Sequence, residues 1–242
     1  MSSNRIAWLT PADPPTSFPP VETALVEPDG LLAAGGDLSV GRLVEAYTRG
    51  IFPWFDSGQP ILWWSPDPRC VLRPSDYHLP RRFRRTLRQS SATVTFNRDF
   101  PSVMAACAAP RPGQPGTWIT SEMHDAYCDL HASGWAHSVE VWDGGQLSGG
   151  LYGVVIGRVM FAESMFSARS GGSKIALAAL CAVLEQQAFP LIDCQVASGH
   201  LLRIGAKLIP RRQFVGEIEQ STAARTPFHA WPATPLAARE LA

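Results

Sequence analysis

Apolar positions along the chain fall into two regimes, one of period 3.6 and one of period 2. Val40, Leu43, Val44 and Tyr47 recur at i, i+3, i+4, i+7, which predicts one apolar helix face. Ser39 precedes that face as an N-cap and Gly50 follows it as a stop. Met123, Ala126, Tyr127 and Leu130 repeat the helical spacing over residues 121–131, between Thr120 as cap and Gly134 as terminator. Ser138-Val139-Glu140-Val141-Trp142 alternates instead, turns at Asp143-Gly144 and returns over 147–156, which predicts a β-hairpin. Gly157 turns the chain into another strand over 159–165. Shorter strands are predicted over 70–72, 93–96, 191–196 and 207–209, and helices over 80–89, 99–108, 172–187 and 200–204.

Hairpin strands followed by helix, strand, helix, strand predict an α+β fold, a sheet with helices packed on its faces. Residues 1–67 read as a small N-terminal domain of loops around one helix, and 68–242 as the second domain. Between them, Gly50-Ile51-Phe52-Pro53-Trp54-Phe55 and Pro60-Ile61-Leu62-Trp63-Trp64-Ser65-Pro66-Asp67-Pro68 hold four prolines and three tryptophans. Such a stretch makes a poor helix and a poor central strand. Trp63 and Trp64 read as a hydrophobic clamp between the two domains. Trp54 reads either as part of that clamp or as a platform on which a base could stack.

Composition narrows the class. The chain has 242 residues, 45% of them apolar and 17% charged, so a packed globule is expected rather than a disordered chain. The first twenty residues are polar and Pro-rich, unlike a signal peptide, and no apolar run reaches the length of a membrane span. A cytoplasmic protein is expected. Five cysteines without a C-x-x-C pair, and six histidines without metal spacing, predict neither a disulfide framework nor a metal site. Lys+Arg and Asp+Glu balance at 21 each, but local fields rather than net charge decide nucleic-acid binding. The basic residues cluster. Arg81, Arg84, Arg85 and Arg88 would share one helix face, with no acidic residue between Asp76 and Asp99, and they read as a phosphate track or an exposed basic face. Arg203, Lys207, Arg211 and Arg212 form a second group.

Three further features can carry chemistry. In Leu191-Ile192-Asp193-Cys194-Gln195, alternation puts Asp193 and Gln195 on one face of an otherwise apolar strand, as a buried hydrogen-bond network or a substrate-facing pair. In Phe161-Ala162-Glu163-Ser164-Met165, alternation puts Phe161, Glu163 and Met165 on one face, a carboxylate at the edge of an apolar pocket. Ser170-Gly171-Gly172-Ser173 opens the long helix, where free N–H groups could meet an anion, though capping is the commoner use of such a loop. Cys194 with His200 is a poor nucleophilic dyad; Cys194 reads as a small core residue opposite Asp193.

Taken together, the motifs resemble the leucyl/phenylalanyl-tRNA–protein transferase family. The resemblance runs from Glu27-Pro28-Asp29-Gly30-Leu31-Leu32, Gly35-Gly36-Asp37-Leu38 and Arg49-Gly50-Ile51-Phe52-Pro53-Trp54 through Trp63-Trp64-Ser65-Pro66-Asp67-Pro68-Arg69 and Thr117-Trp118-Ile119-Thr120. It continues in Ala136-His137-Ser138-Val139-Glu140-Val141-Trp142, Glu163-Ser164-Met165-Phe166-Ser167 and Leu191-Ile192-Asp193-Cys194-Gln195, and covers residues 18–214. Ser170-Gly171-Gly172-Ser173-Lys174 departs from the family's Asn-Ala-Ser-Lys, and Val196-Ala197-Ser198-Gly199-His200 from its Asn-Asp-His.

The resemblance implies a C-terminal domain of acetyltransferase-like (GNAT) fold, with a mixed, largely antiparallel sheet. It implies transfer of Leu, Phe or Met from aminoacyl-tRNA to proteins with N-terminal Lys or Arg, by a monomer without cofactor or metal, and marking of those proteins for N-degron degradation. By position, Asp193 and Gln195 would be the catalytic pair, and Glu163 and Asp193 would hold the acceptor. Trp54 and Trp118 would contact the terminal adenosine or aminoacyl group. Leu151, Met160, Met165 and Leu180 would receive the aminoacyl side chain, and Arg81, Arg84, Arg85 and Arg88 would follow the acceptor stem. Two other readings compete: an acyl-CoA-dependent GNAT N-acetyltransferase, whose pyrophosphate turn Arg169-Ser170-Gly171-Gly172-Ser173-Lys174 matches only in part, and a non-catalytic RNA-binding module.

Overall fold

The computed structural model describes residues 6–110 and 117–242. Its N-terminal part runs β1 (Ala7–Leu9), β2 (Leu31–Gly35), helix α1 (Val40–Thr48), β3 (Phe52–Pro53) and β4 (Leu62–Trp64), and the strands form a sheet in the order β1-β2-β4-β3. This sheet corrects the expectation of loops around one helix. Pro53 is tolerated because β3 is an edge strand, where a missing N–H costs no ladder bond. Strand β4 is internal despite its prolines' proximity, and Trp63 on it packs in the hydrophobic core. Its indole is fully buried, edge-on to Phe18, and donates to the Gly35 carbonyl at 2.9 Å. Helix α1 forms where the apolar spacing predicts it. Ser39 accepts from the Arg42 N–H at 3.4 Å, and Gly50 follows with φ +72°, a conformation costly for other residues. Arg42 is itself buried because its guanidinium is spent on Asp37 and on the carbonyls of Thr10 and Asp13.

The chain continues with β5 (Arg69–Leu72), α2 (Arg81–Arg88), β6 (Thr93–Phe96), α3 (Phe100–Ala108), α4 (Ser121–Ala132), β7 (Ala136–Asp143) and β8 (Gln146–Ile156). It ends with β9 (Val159–Ser167), α5 (Gly172–Gln186), β10 (Leu191–Gln195), α6 (Gly199–Arg203), β11 (Lys207–Ile209), α7 (Arg211–Ser221) and β12 (Leu236–Ala237). Eight strands form one mixed sheet in the order β11-β5-β10-β9-β8-β7-β6-β12, with β9 and β10 parallel and the other neighbours antiparallel. The β7–β8 hairpin turns at Gly144 and Gly145, both at positive φ, as a two-residue primed turn requires.

Period-2 patterning sorts the sheet's side chains onto two faces. Val71, Phe161 and Leu191 pack in one cluster with α1, α3, α4, α7 and the N-terminal sheet. Leu72, Met160 and Ile192 pack in the other, under α5. The first cluster runs without a break from Leu9 to Ile218, so the small sheet shares its core with the large one. Helix α5 approaches β8 backbone to backbone: a Cβ on Gly149 would lie 2.4 Å from Gly172 Cα. In the loop before α5 the Ser173 N–H is taken by Ser167 Oγ at 2.8 Å and the Gly172 N–H by the Arg169 carbonyl at 3.0 Å, so two of the helix's first donors are satisfied within the fold.

Candidate active site

Two β-bulges build the site. Tyr152 pairs with Ser164 and Gly153 with Ala162, so Glu163 is an extra residue in β9. Val71 pairs with Asp193 and Cys70 with Gln195, so Cys194 is an extra residue in β10, and Gln195 leaves the strand at φ +60°. A bulge re-aims the side chains that follow it. This corrects the shared face expected for Phe161, Glu163 and Met165. Phe161 belongs to the cluster on the α1 side, whereas Met165 packs against the cluster under α5.

Glu163 and Gln195 meet across the parallel strand pair, the Gln195 amide Nε2 donating to Glu163 Oε1 at 2.7 Å. Tyr47 from α1 donates to the same oxygen at 2.7 Å, and Tyr127 from α4 to Oε2 at 3.1 Å. The two phenol oxygens also lie in hydrogen-bond contact with each other. Each phenol carries one proton, so the pair cannot supply all three contacts of this triangle; when Glu163 is protonated its O–H can donate to one phenol, which is then free to donate to the other. The electrostatics agree. Burial raises the Glu163 carboxyl from its ordinary 4.5 to about 7, against hydrogen bonds from Tyr47, Tyr127 and Gln195 that lower it, and Asp193 nearby adds to the rise. Burial, then the Glu163 charge, also holds both phenols well above the usual tyrosine range.

Asp193 lies below this group. Its carboxylate is fully buried and grips Arg69 in a fork, Nε to Oδ1 at 2.8 Å and Nη2 to Oδ2 at 2.6 Å. The Arg69 guanidinium sits between the rings of Phe52 and Phe214, at 4.9 and 4.6 Å from their centroids. Asp193 also accepts the Gln195 backbone N–H at 2.9 Å. Its reach to the site is therefore through the Gln195 main chain. This corrects the expectation that Asp193 holds the acceptor, because an acceptor chain cannot touch Asp193 without displacing Arg69; the Gln195 side-chain amide is held by Glu163 instead.

Above these residues opens a cavity of about 180 Å³ lined by Phe52, Pro53, Trp54, Trp118, Glu163, Cys194, Gln195 and Val196. It brings together four residues singled out in the sequence: Trp54, Trp118, Glu163 and Gln195. Trp54 is 45% exposed and leans on Trp64, whose indole donates to the Trp54 carbonyl at 2.6 Å. Leu151, Met160 and Leu180 do not border the cavity. They are closed into the core under α5, with Met165 half-buried at its edge. Cys194 borders the cavity rather than filling the core, but hydrogen bonding to Cys70 and burial hold its thiol well above the usual range, and His200 lies in a different recess.

Arg81, Arg84, Arg85 and Arg88 all stand exposed on α2, which is anchored by buried Leu87 and by Phe83 packed on Gly171. The second basic group is divided. Lys207 pairs with Asp76 at 2.6 Å, and Arg211 is tied to the Ser65 carbonyl and Asp67. Tyr47, Tyr127 and Arg69 were not legible as site residues. The available signal was chemical: phenols at buried helix positions, and an arginine opening a buried strand, each need a polar partner.

Comparison with known proteins gives this geometry its setting. A family model described as leucyl/phenylalanyl-tRNA protein transferase matches residues 71–219, and one for that family's N-terminal domain matches residues 36–67. A leucyl/phenylalanyl-tRNA–protein transferase of Xanthomonas campestris pv. campestris (strain B100) is 56% identical over 95% of this chain and 92% of its own. A protein of the same name from Xylella fastidiosa (strain M23) is 56% identical over 88% of each chain. Among solved structures, a GCN5-related N-acetyltransferase-like protein from Streptococcus suis 89/1591 aligns with a TM-score of 0.32 at 14% identity, covering 68% of this chain and 61% of its own. The molecule is an aminoacyltransferase, whose substrates are an aminoacyl-tRNA and an acceptor protein. It belongs to the leucyl/phenylalanyl-tRNA–protein transferase family. No described helix is long and apolar enough to cross a membrane.

Proposed function

We propose that this protein moves Leu, Phe or Met from its tRNA to the α-amine of proteins beginning with Lys or Arg. The new terminus marks those proteins for the cytoplasmic N-degron pathway. One observation carries the reading: Trp54, Trp118, Glu163 and Gln195 border a single cavity. Trp54 and Trp118 offer faces for the terminal adenosine. The aminoacyl side chain is received at the Met165 edge of the apolar core, backed by Leu151, Met160 and Leu180. Residues 68–242 act as a GNAT-like catalytic domain, residues 1–67 supply the wall that bears Trp54, and the protein works as a monomer.

The ester of an aminoacyl-tRNA is already activated, so the amine nitrogen can attack the carbonyl carbon directly. The C–N bond forms, the C–O bond to the ribose breaks, and the departing oxygen takes a proton while the amine loses one. Because Nε2 of Gln195 is committed to Glu163, its carbonyl is left to accept a hydrogen bond from the attacking amine. Asp193, acting through the Gln195 main chain, is a positioning residue. Once its proton is lost, the Glu163 carboxylate offers about four acceptor sites and uses three on Tyr47, Tyr127 and Gln195. The fourth is free for the cationic side chain of the acceptor.

Labelled leucine should pass from charged tRNA to a protein starting with Arg at least tenfold faster than to one starting with Ala. Equal rates would remove the assigned acceptor specificity. If the four exposed arginines of α2 track phosphates, log affinity for tRNA falls with log salt at a slope of roughly −3 to −4.

A further inference from the structure

A second recess, of about 360 Å³, is unused by this reaction. It is lined by Tyr77, His78, Lys174, His200 and Arg203, which come from the segment entering α2, the first turn of α5, and α6. No carboxylate lines it, and Asp76, the nearest acid along the chain, is committed to Lys207 at 2.6 Å. Among the described residues Lys174 and Arg203 have no acidic partner; the Lys174 ammonium lies 5.4 Å over the Phe83 ring. Gly199 lets Arg203 fold back closely, since a Cβ there would lie 3.3 Å from Nη1. Burial, and then the charges of Lys174 and Arg203, hold His200 below its ordinary range, so both cations are felt at one point. Unmatched positive charge in a walled recess concentrates anions.

We infer that this recess binds a backbone phosphate of the donor RNA close to its 3′ end, an inference that rests on the reaction proposed above. Val196 borders the catalytic cavity and His200 borders the recess. Four residues of extended chain span at most about 14 Å. A stacked strand rises about 3.4 Å per nucleotide, so the phosphate belongs to roughly the last four nucleotides. The recess also adjoins Pro80, the residue from which the arginines of α2 begin, so it joins the reaction centre to the phosphate track.

The test compares two donors: leucine esterified to adenosine, which has no phosphate, and to a four-nucleotide RNA, which has three backbone phosphates by construction. In the double variant Lys174→Ala, Arg203→Ala, the ratio of KM for the tetranucleotide donor to KM for the adenosine donor should rise about tenfold or more, as expected for losing hydrogen bonds to a charged group. Lys174→Arg with Arg203 intact keeps both charges and should leave the ratio near that of the unmodified protein, whereas the double alanine variant should not. A ratio within twofold of the unmodified protein overturns the site. So does binding of inorganic phosphate in the recess that competes with neither donor, which would make it a free-anion site. Failure of the unmodified protein to use either donor would instead overturn the reaction, and the role of the recess with it.

Discussion

Asp193, fully buried, and Glu163, half-buried at the cavity, are carboxylates on adjacent strands, and both hold the same residue, Gln195. They differ in what answers their charge. Asp193 faces a guanidinium inside the fold, in a fork that leaves it complete without a ligand. Glu163 faces two phenols and an amide, all neutral. Desolvation is then only partly compensated, and the carboxyl stays near half-protonated at neutral pH. The first arrangement builds the site. The second leaves a charge for a substrate to match.

Gln195→Ala tests the contrast most severely, because it cuts the link to Glu163 and spares the backbone bond to Asp193. Single-turnover transfer at saturating donor should slow about 10²–10⁴-fold, the usual contribution of a positioned acceptor. A near-normal rate would take Gln195 out of the chemistry. Asp193→Ala leaves Arg69 buried and unpaired, which should cost about 3–5 kcal/mol. For a chain of this size that is roughly 6–20 °C in Tm. Replacing Arg69 and Asp193 together by apolar residues should recover most of that stability but not the transfer rate; an unaltered rate would make the pair irrelevant to positioning.

Glu163→Gln should act in the opposite sense on stability. Since the folded carboxyl titrates near 7 and the unfolded one near 4.5, the native state binds the extra proton between those values. Stability is therefore lost as pH rises from about 4.5 to 7 and is level above. Glutamine removes this loss, so the variant should gain up to about 3 kcal/mol over the unmodified protein at pH 8 and little at pH 4. Chemical denaturation across that range checks it, and a constant difference would refute the linkage. The smallest effect is kinetic. KM for an acceptor starting with Arg should fall several-fold as pH rises through 7 in the unmodified protein, and stay flat in Glu163→Gln.

How much of this could be read beforehand depends on the kind of pattern. Helices α1 and α4 and the β7–β8 hairpin were legible because spacing, cap and stop residues agree locally. The N-terminal sheet was not, since strands of two to five residues among prolines carry too little alternation. Helix α7 buries only Phe214 and Ile218, a stripe too thin to register. In the site, Trp54, Trp118, Glu163 and Gln195 were found, but their arrangement was not. Alternation presumes a regular pleat, and the extra residues Glu163 and Cys194 break it where the side chains matter. Tyr47 and Tyr127 fit the apolar stripes of their helices so well that their hydroxyls went unnoticed.

The placement of Arg69 has a consequence for how the molecule can be taken apart. Its side chain is sandwiched by Phe52 from the small sheet and Phe214 from α7 while it clasps the strand that ends in Gln195. Three stretches far apart along the polypeptide thus converge on one planar cation. A truncated product beginning at β5, or one stopping before α7, would strip a ring from that cation and let water in beside the ion pair. Separately produced halves should regain activity only when mixed, and with a concentration dependence that reports their reassembly.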